Sequence, residues 1–411
     1  MQKYADYVTS QATWLGRLPT HWDCKKIGAL FSERKVKVSD KDYAPLSVAK
    51  IGVVPQLETA VKTDAGDNRK LVRARDFVIN SRSDRKGSCG VSELDGSVSL
   101  INIVLQPRKE MNNRYVHFLM RSQPFSEEYY RNGRGIVSDL WTTRYSEMKS
   151  ILLPIPPREE QDQIVRFLDW KVSSINRLIG VKQKQIAALK EFMQAEIEKQ
   201  LYAYPVEEAV RLKQLGTFFK GGGFSRENLV EEEGCPAILY GDIYTQYEYK
   251  TAVINHSIDG AAYSASRKIS KGDIVMAGTG ETKDEIGKSI LYTGDEIVAV
   301  GGDVIVFHPN EGINVEYLLY QLYSQAALKH RYINGKGDII VHIYPTALGS
   351  TIIAFPGVEE QKKAVARINE IINQVKKAIA VLADEISVLR EYRVRLIADT
   401  VTGEIDVRDI E

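Results

Sequence analysis

Little in this chain suggests a catalytic, secreted or membrane-bound protein. Three cysteines in 411 residues, Cys24, Cys89 and Cys235, are odd in number and widely separated, which argues against a disulfide framework and paired zinc ligands. No apolar run approaches the ~20 residues of a membrane-spanning helix. The N-terminus also lacks a charged segment followed by an apolar core, so a soluble, cytoplasmic protein without membrane contact is the expectation. Net charge is missing too: 55 Lys and Arg stand against 54 Asp and Glu, a formal +1. Any grip on a polyanion must then come from local clusters.

Catalytic signatures are equally scarce. The six histidines, His21, His117, His256, His308, His330 and His342, show no metal-ligand spacing such as His-Glu-x-x-His. Gly280, Gly287, Lys288 and Ser289 look like a phosphate-binding loop, but six residues separate the glycines where four are required, and residues 290–300 read as strand and turn rather than helix. The only Pro-Pro pair, Pro156-Pro157, follows Ile155, so the Asn- or Asp-Pro-Pro-aromatic motif of amino-methyltransferases is absent. No catalytic residue, metal site or bound cofactor is expected.

What the chain does contain is a repeat. Residues 150–197 laid on residues 350–397 at a constant offset of 200 need no gap and share 12 of 48 positions, among them Pro156/Pro356, Glu159/Glu359, Glu160/Glu360, Gln161/Gln361 and Leu189/Leu389. Both copies read as one long helix. Val165, Leu168, Val172, Ile175, Ile179, Ile186, Leu189 and Met193 fall at three- and four-residue steps, interrupted by Lys182. Val365, Ile368, Ile372, Val375, Ile379, Leu382, Ile386, Leu389 and Leu396 repeat the pattern, with Arg393 its one charge. These are heptad seams. Packing one against the other antiparallel would cover both and create a pseudo-two-fold axis, with a domain at each end of a spacer.

The duplication extends outward. Ile27-Gly28 matches Leu215-Gly216, and Asp76-Phe77-Val78-Ile79 matches Asp273-Ile274-Val275-Met276. Ile103-Val104-Leu105 matches Val304-Ile305-Val306, and Asn132-Gly133-Arg134-Gly135 matches Asn334-Gly335-Lys336-Gly337. Short β-like runs broken by Gly, Asp and Asn precede each helix. The expected class is α+β: two mixed α/β domains, residues 1–150 and 205–350, separated by an antiparallel coiled coil made of helices within residues 151–204 and 351–411, the latter with a tail.

Basic residues concentrate between positions 62 and 86, eight against four aspartates. Arg69, Lys70, Arg73, Arg82, Arg85 and Lys86, with Ser83 among them and Arg134 further on, are candidate DNA contacts, since cations neutralise phosphates and planar Arg groups reach base edges. A solvated face is the plainer alternative. In the second domain the candidates are Phe224, Ser225 and Arg226 after a triple glycine, with Lys283, Lys288 and Lys336. Tyr240, Tyr244, Tyr247 and Tyr249 crowd one region and suit a recognition surface, although buried tyrosines are commoner.

Together, five ordered elements resemble the specificity subunit of type I restriction-modification systems. They are Trp14-Leu15-Gly16-x-x-Pro19-x-x-Trp22, Ile155-Pro156-Pro157-x-Glu159-Glu160-Gln161 before a long helix, the echo Phe355-Pro356 with Glu359-Glu360-Gln361, the second helix, and Thr402-Gly403-Glu404-Ile405-Asp406. Gly357 departs from the pattern, standing where the first copy has Pro157. The resemblance covers nearly the whole chain. It implies two target-recognition domains that each read half of a split double-stranded DNA target, and helices that set the unread spacer. It also implies two methyltransferase subunits using S-adenosylmethionine and up to two motor-nuclease subunits using ATP and magnesium, with no cofactor on this chain. Arg166, Lys171, Arg177 and Lys184 are candidate partner contacts. A recognition module in a related system with a different nuclease or none, and a coiled-coil scaffold without DNA binding, remain the alternatives.

Overall fold

The computed structural model describes residues 2–58, 66–108, 111–135, 141–231 and 233–410; Lys62, at the edge of the basic cluster, lies outside them. The chain forms two compact units, Met1–Gln183 with Leu382–Glu411, and Lys184–Val381.

In the first unit the all-buried strand Phe77–Asn80 pairs antiparallel with Cys89–Val91 and Asn102–Pro107, and the latter pairs with Phe31–Glu33. A three-stranded sheet of Gly96–Val98, Arg69–Val72 and Lys37–Val38 supplies further apolar side chains. Val72, Val78, Val98 and Val104 meet in one core. Two helices follow, Asn113–Arg121 and Gln123–Arg131, because Asn112 and Ser122 accept from the first free N–H groups of each.

The second unit repeats this order with longer sheets. Ile274–Ala277 pairs with Val304–Pro309 as the aligned strands do in the first unit. Helices Val315–Gln321 and Gln325–Asn334 start on Asn314 and Ser324, the counterparts of Asn112 and Ser122. A second five-stranded sheet carries the parallel pair Cys235–Ile238 and Val298–Val300. Ser289–Tyr292 and Val298–Val300 are strands, so no helix follows the glycine-rich stretch.

Both long helices, Arg158–Leu201 and Val358–Val401, are 44 residues. Gln161 Nε2 donates to Pro156 O and Gln361 Nε2 to Pro356 O, each at 3.0 Å, which gives the repeated Gln its structural role. Gln361 N donates to Gly357 O at 3.0 Å as Gln161 N does to Pro157 O, so the glycine leaves the start of the helix unchanged. Within the first unit Lys182 pairs with Glu385, and Arg393 donates to Asn176. The pairing partners run in opposite directions, so the helices are antiparallel there. In the second unit Ile197 and Leu201 share a core with Ala364, Ile368 and Ile372.

Candidate nucleic-acid interface

The loops after the central strands bring the sequence candidates together in a short ribbon. In the first unit Thr142 bridges Arg82 on one side and Arg134 on the other. Arg134 N donates to Thr142 O at 2.9 Å, Thr142 N to Arg134 O at 3.0 Å, and Ser83 N to Trp141 O at 3.1 Å. A side chain at Gly133 would collide with Trp141, since its Cβ would lie 2.2 Å from the indole nitrogen. That close approach is what the Asn-Gly-Arg-Gly motif provides. Arg82, Arg85, Lys86 and Arg134 are exposed, with Arg85 beside Asp84 and Lys86 above the Tyr130 ring.

The same ribbon recurs in the second unit. His342 bridges Lys336, and the strand Val341–His342 pairs with Thr279–Gly280, so Thr279 stands where Arg82 does. Lys336 is exposed, and Lys283 lies half-buried in the turn that follows Gly280. Phe224, Ser225 and Arg226 line a separate cavity with Tyr240 and Asp303.

Two candidates are not presented for reading. Arg69 is 7% exposed and donates to Ser97 Oγ at 2.8 Å and Ser97 O at 3.0 Å; burial also lowers its pKa. Lys288 donates to the carbonyls of Tyr244 and Tyr247, where burial likewise favours loss of its charge. Arg69 and Lys288 hold sheets and turns together, because a charge next to a strand is retained inside only with fixed acceptors. Arg73 is tied to Asp95 and Tyr43 but keeps 42% of its side chain exposed. Of the four tyrosines, Tyr240 is exposed, whereas Tyr244, Tyr247 and Tyr249 pack against cores.

Sequence reasoning missed a basic cleft of about 720 Å3 in the first unit, lined by Lys35, Lys70, Ser81, Thr142, Arg144 and Lys149 with Glu33. Lys70 Nζ is held by Asn102 O at 2.8 Å. No local signal joins Lys35 to Arg144; the sheet does.

A family model described as type I restriction modification DNA specificity domain matches residues 207–382. That segment is similar to the type I DNA specificity domains. Over 94% of its length the chain also shares its fold with 99% of a chain from a solved structure on complex assembly and conformational transition of the type I R-M system, at 15% identity and a TM-score of 0.69. The HsdS subunit from Thermoanaerobacter tengcongensis, at 16% identity, covers 94% of this chain and 98% of its own, with a TM-score of 0.49. No curated protein matches.

Among the described residues there is no group of three or more His, Cys, Asp or Glu suited to a metal, and all three cysteines are free. No described helix is long and apolar enough to cross a membrane. On the first long helix Arg166 and Arg177 are exposed and Lys171 sits 4.1 Å from the Trp170 ring centre. Trp170, Leu178 and Val181 are about half exposed between them, apolar residues off the seam that the sequence reading passed over. Lys184 is exposed further along the same helix.

Proposed function

We propose that this chain is the sequence-reading subunit of a type I restriction-modification complex, each unit reading one half of a bipartite DNA target. The observation that carries it is the recurrence of one ribbon in both units, Arg82–Thr142–Arg134 and Thr279–His342–Lys336, with exposed cations at its edge. Arg82, Arg85, Lys86 and Arg134 serve one half-site, and Arg226, Lys283 and Lys336 the other, through phosphates and base edges. Lys35, Arg144 and Lys149 extend the phosphate contacts of the first.

Chemistry belongs to partners. Two methyltransferase subunits, with S-adenosylmethionine, dock on the helices through Arg166, Lys171, Arg177 and Lys184 and the apolar residues among them. Motor-nuclease subunits using ATP and magnesium join that assembly. Methylating an adenine in duplex DNA requires the base to leave the stack, and a specificity subunit holds the duplex while the partner captures it.

Single-molecule sequencing of methylated bases tests this, comparing cells that express the chain with its neighbouring methyltransferase against cells lacking the chain. The expected result is a split motif with an adenine mark in each half, present only with the chain. A methylation pattern independent of the chain would overturn the reading.

A further inference from the structure

In the second unit Cys235–Ile238 and Val298–Val300 run parallel as neighbours, Ile238 opposite Val300. Both chains therefore leave the sheet at the same end. The residues that follow, Leu239 to Asp242 on one side and Gly301 to Asp303 on the other, flank a cavity of about 520 Å3. Space beyond the carboxyl ends of parallel strands is a habitual ligand site, since the loops diverge while the sheet fixes their bases. A third side is closed by Phe224, Ser225 and Arg226, anchored where Gly222 N donates to Val300 O at 2.9 Å.

The lining combines unlike groups. Phe224 is a buried wall, and Tyr240 keeps 39% of its surface exposed. Among the described residues the Tyr240 hydroxyl, the Arg226 guanidinium and the Asp303 carboxylate have no side-chain partner. A Cβ at Gly241 or Gly302 would meet no atom within 4 Å, so open space lies against the backbone. At the aligned positions of the first unit, Leu100 and Ile101 stand in place of Gly301 and Gly302. An aromatic face, a donor cation and an acceptor carboxylate around one gap match a planar heterocycle with donors and acceptors along its edge.

We propose that this cavity receives one unstacked nucleobase of the half-site read by the second unit, an inference that rests on the DNA-reading role above. Tyr240 stacks on the base, Asp303 accepts from its amino or ring N–H, and Arg226 donates to a ring acceptor.

The test uses the full chain assembled with its methyltransferase partner. Duplexes carry 2-aminopurine in turn at each position of the second half-site other than the methylated adenine and its pair. One position should brighten on binding. Tyr240→Ala and Gly302→Val should each abolish that rise and weaken binding by about tenfold, within what one base–aromatic stack contributes. Gly302→Val removes no functional group, and its Cβ meets no atom within 4 Å.

If every position stays dark while the complex still separates matched from mismatched duplexes, or if the rise survives both variants, the inference fails and the recognition role stands. A complex that separates no sequences removes the recognition role, and the inference with it. Binding of 2-aminopurine riboside without DNA, lost in Gly302→Val and accompanied by no duplex response, would assign the cavity to free nucleosides and overturn its DNA role.

Discussion

Glu160 and Glu360 occupy the same place in the repeated Glu-Glu-Gln motif, yet their surroundings differ. Glu160 is 6% exposed and accepts from the Tyr4 hydroxyl at 2.6 Å and Trp22 Nε1 at 3.0 Å, with His21 Nε2 2.7 Å away. It therefore ties the opening Trp-x-x-Pro-x-x-Trp segment to the start of the first long helix. Among the described residues Glu360 pairs with Lys363, at 3.7 Å, on a side chain 36% exposed. Glu160→Ala leaves two buried donors without an acceptor and should cost about 3 kcal/mol, whereas Glu360→Ala should cost under ~1 kcal/mol. Urea unfolding of the two variants checks this, and equal losses would contradict it. His117 offers a second test. Burial, then the charges of Arg121 and Arg114, lower its pKa to about 4, while an unfolded histidine titrates near ~6.5. Between those values the unfolded chain binds a proton that the folded chain refuses. Stability at this group is therefore complete above ~6.5 and lost as pH falls toward about 4. His117→Asn should flatten the decline of the urea midpoint across that window; parallel curves for variant and wild type would remove the effect.

At the scale of elements, the long helices were the most legible part of the chain. Heptad spacing is local, and the apolar positions named by it include the buried Leu168, Ile175, Ile179, Ile368, Ile372, Val375, Ile386 and Leu396. The two charges that break the seam are matched across it, Lys182 by Glu385 and Arg393 by Asn176. A polar group in a seam favours one register over slipped alternatives, because slippage would leave it without its partner. The two ribbons were only partly legible. Their motifs, Asn-Gly-Arg-Gly and Asn-Gly-Lys-Gly, were visible as a repeat, but nothing nearby in sequence indicated that Arg82 and Arg134 flank the same threonine. Charge also misled: Arg69 and Lys288 read as surface cations and are instead held by carbonyls and hydroxyls inside.

For the whole molecule, the duplicated design predicts that spacing and reading separate. Inserting one heptad into both long helices, between residues 183 and 184 and between 381 and 382, should lengthen the unread spacer and leave both half-sites as they were. The methylated motif of cells expressing the insertion variant reports both quantities; altered half-sites with an unchanged spacer would refute the division of labour. Salt dependence of binding gives a global measure, since each phosphate contact adds to the slope of affinity against salt. With net charge near neutral, that slope should report the proposed contacts at Lys35, Arg82, Arg134, Arg144 and Lys149 rather than the chain's total, and alanine at Arg82 and Arg134 should make it shallower.

The sequence alone determined the two long helices, the duplicated order of elements and the lack of a recognisable catalytic motif, because periodicity, repetition and motif spacing are properties of a one-dimensional chain. Tertiary structure decided which cations face outward, which tyrosine lines a cavity, and that Leu239 and Gly301 open onto the same space. The reason is physical. Burial and convergence depend on which strands pair and in what register, and those pairings join segments too far apart in sequence for any local pattern to connect them.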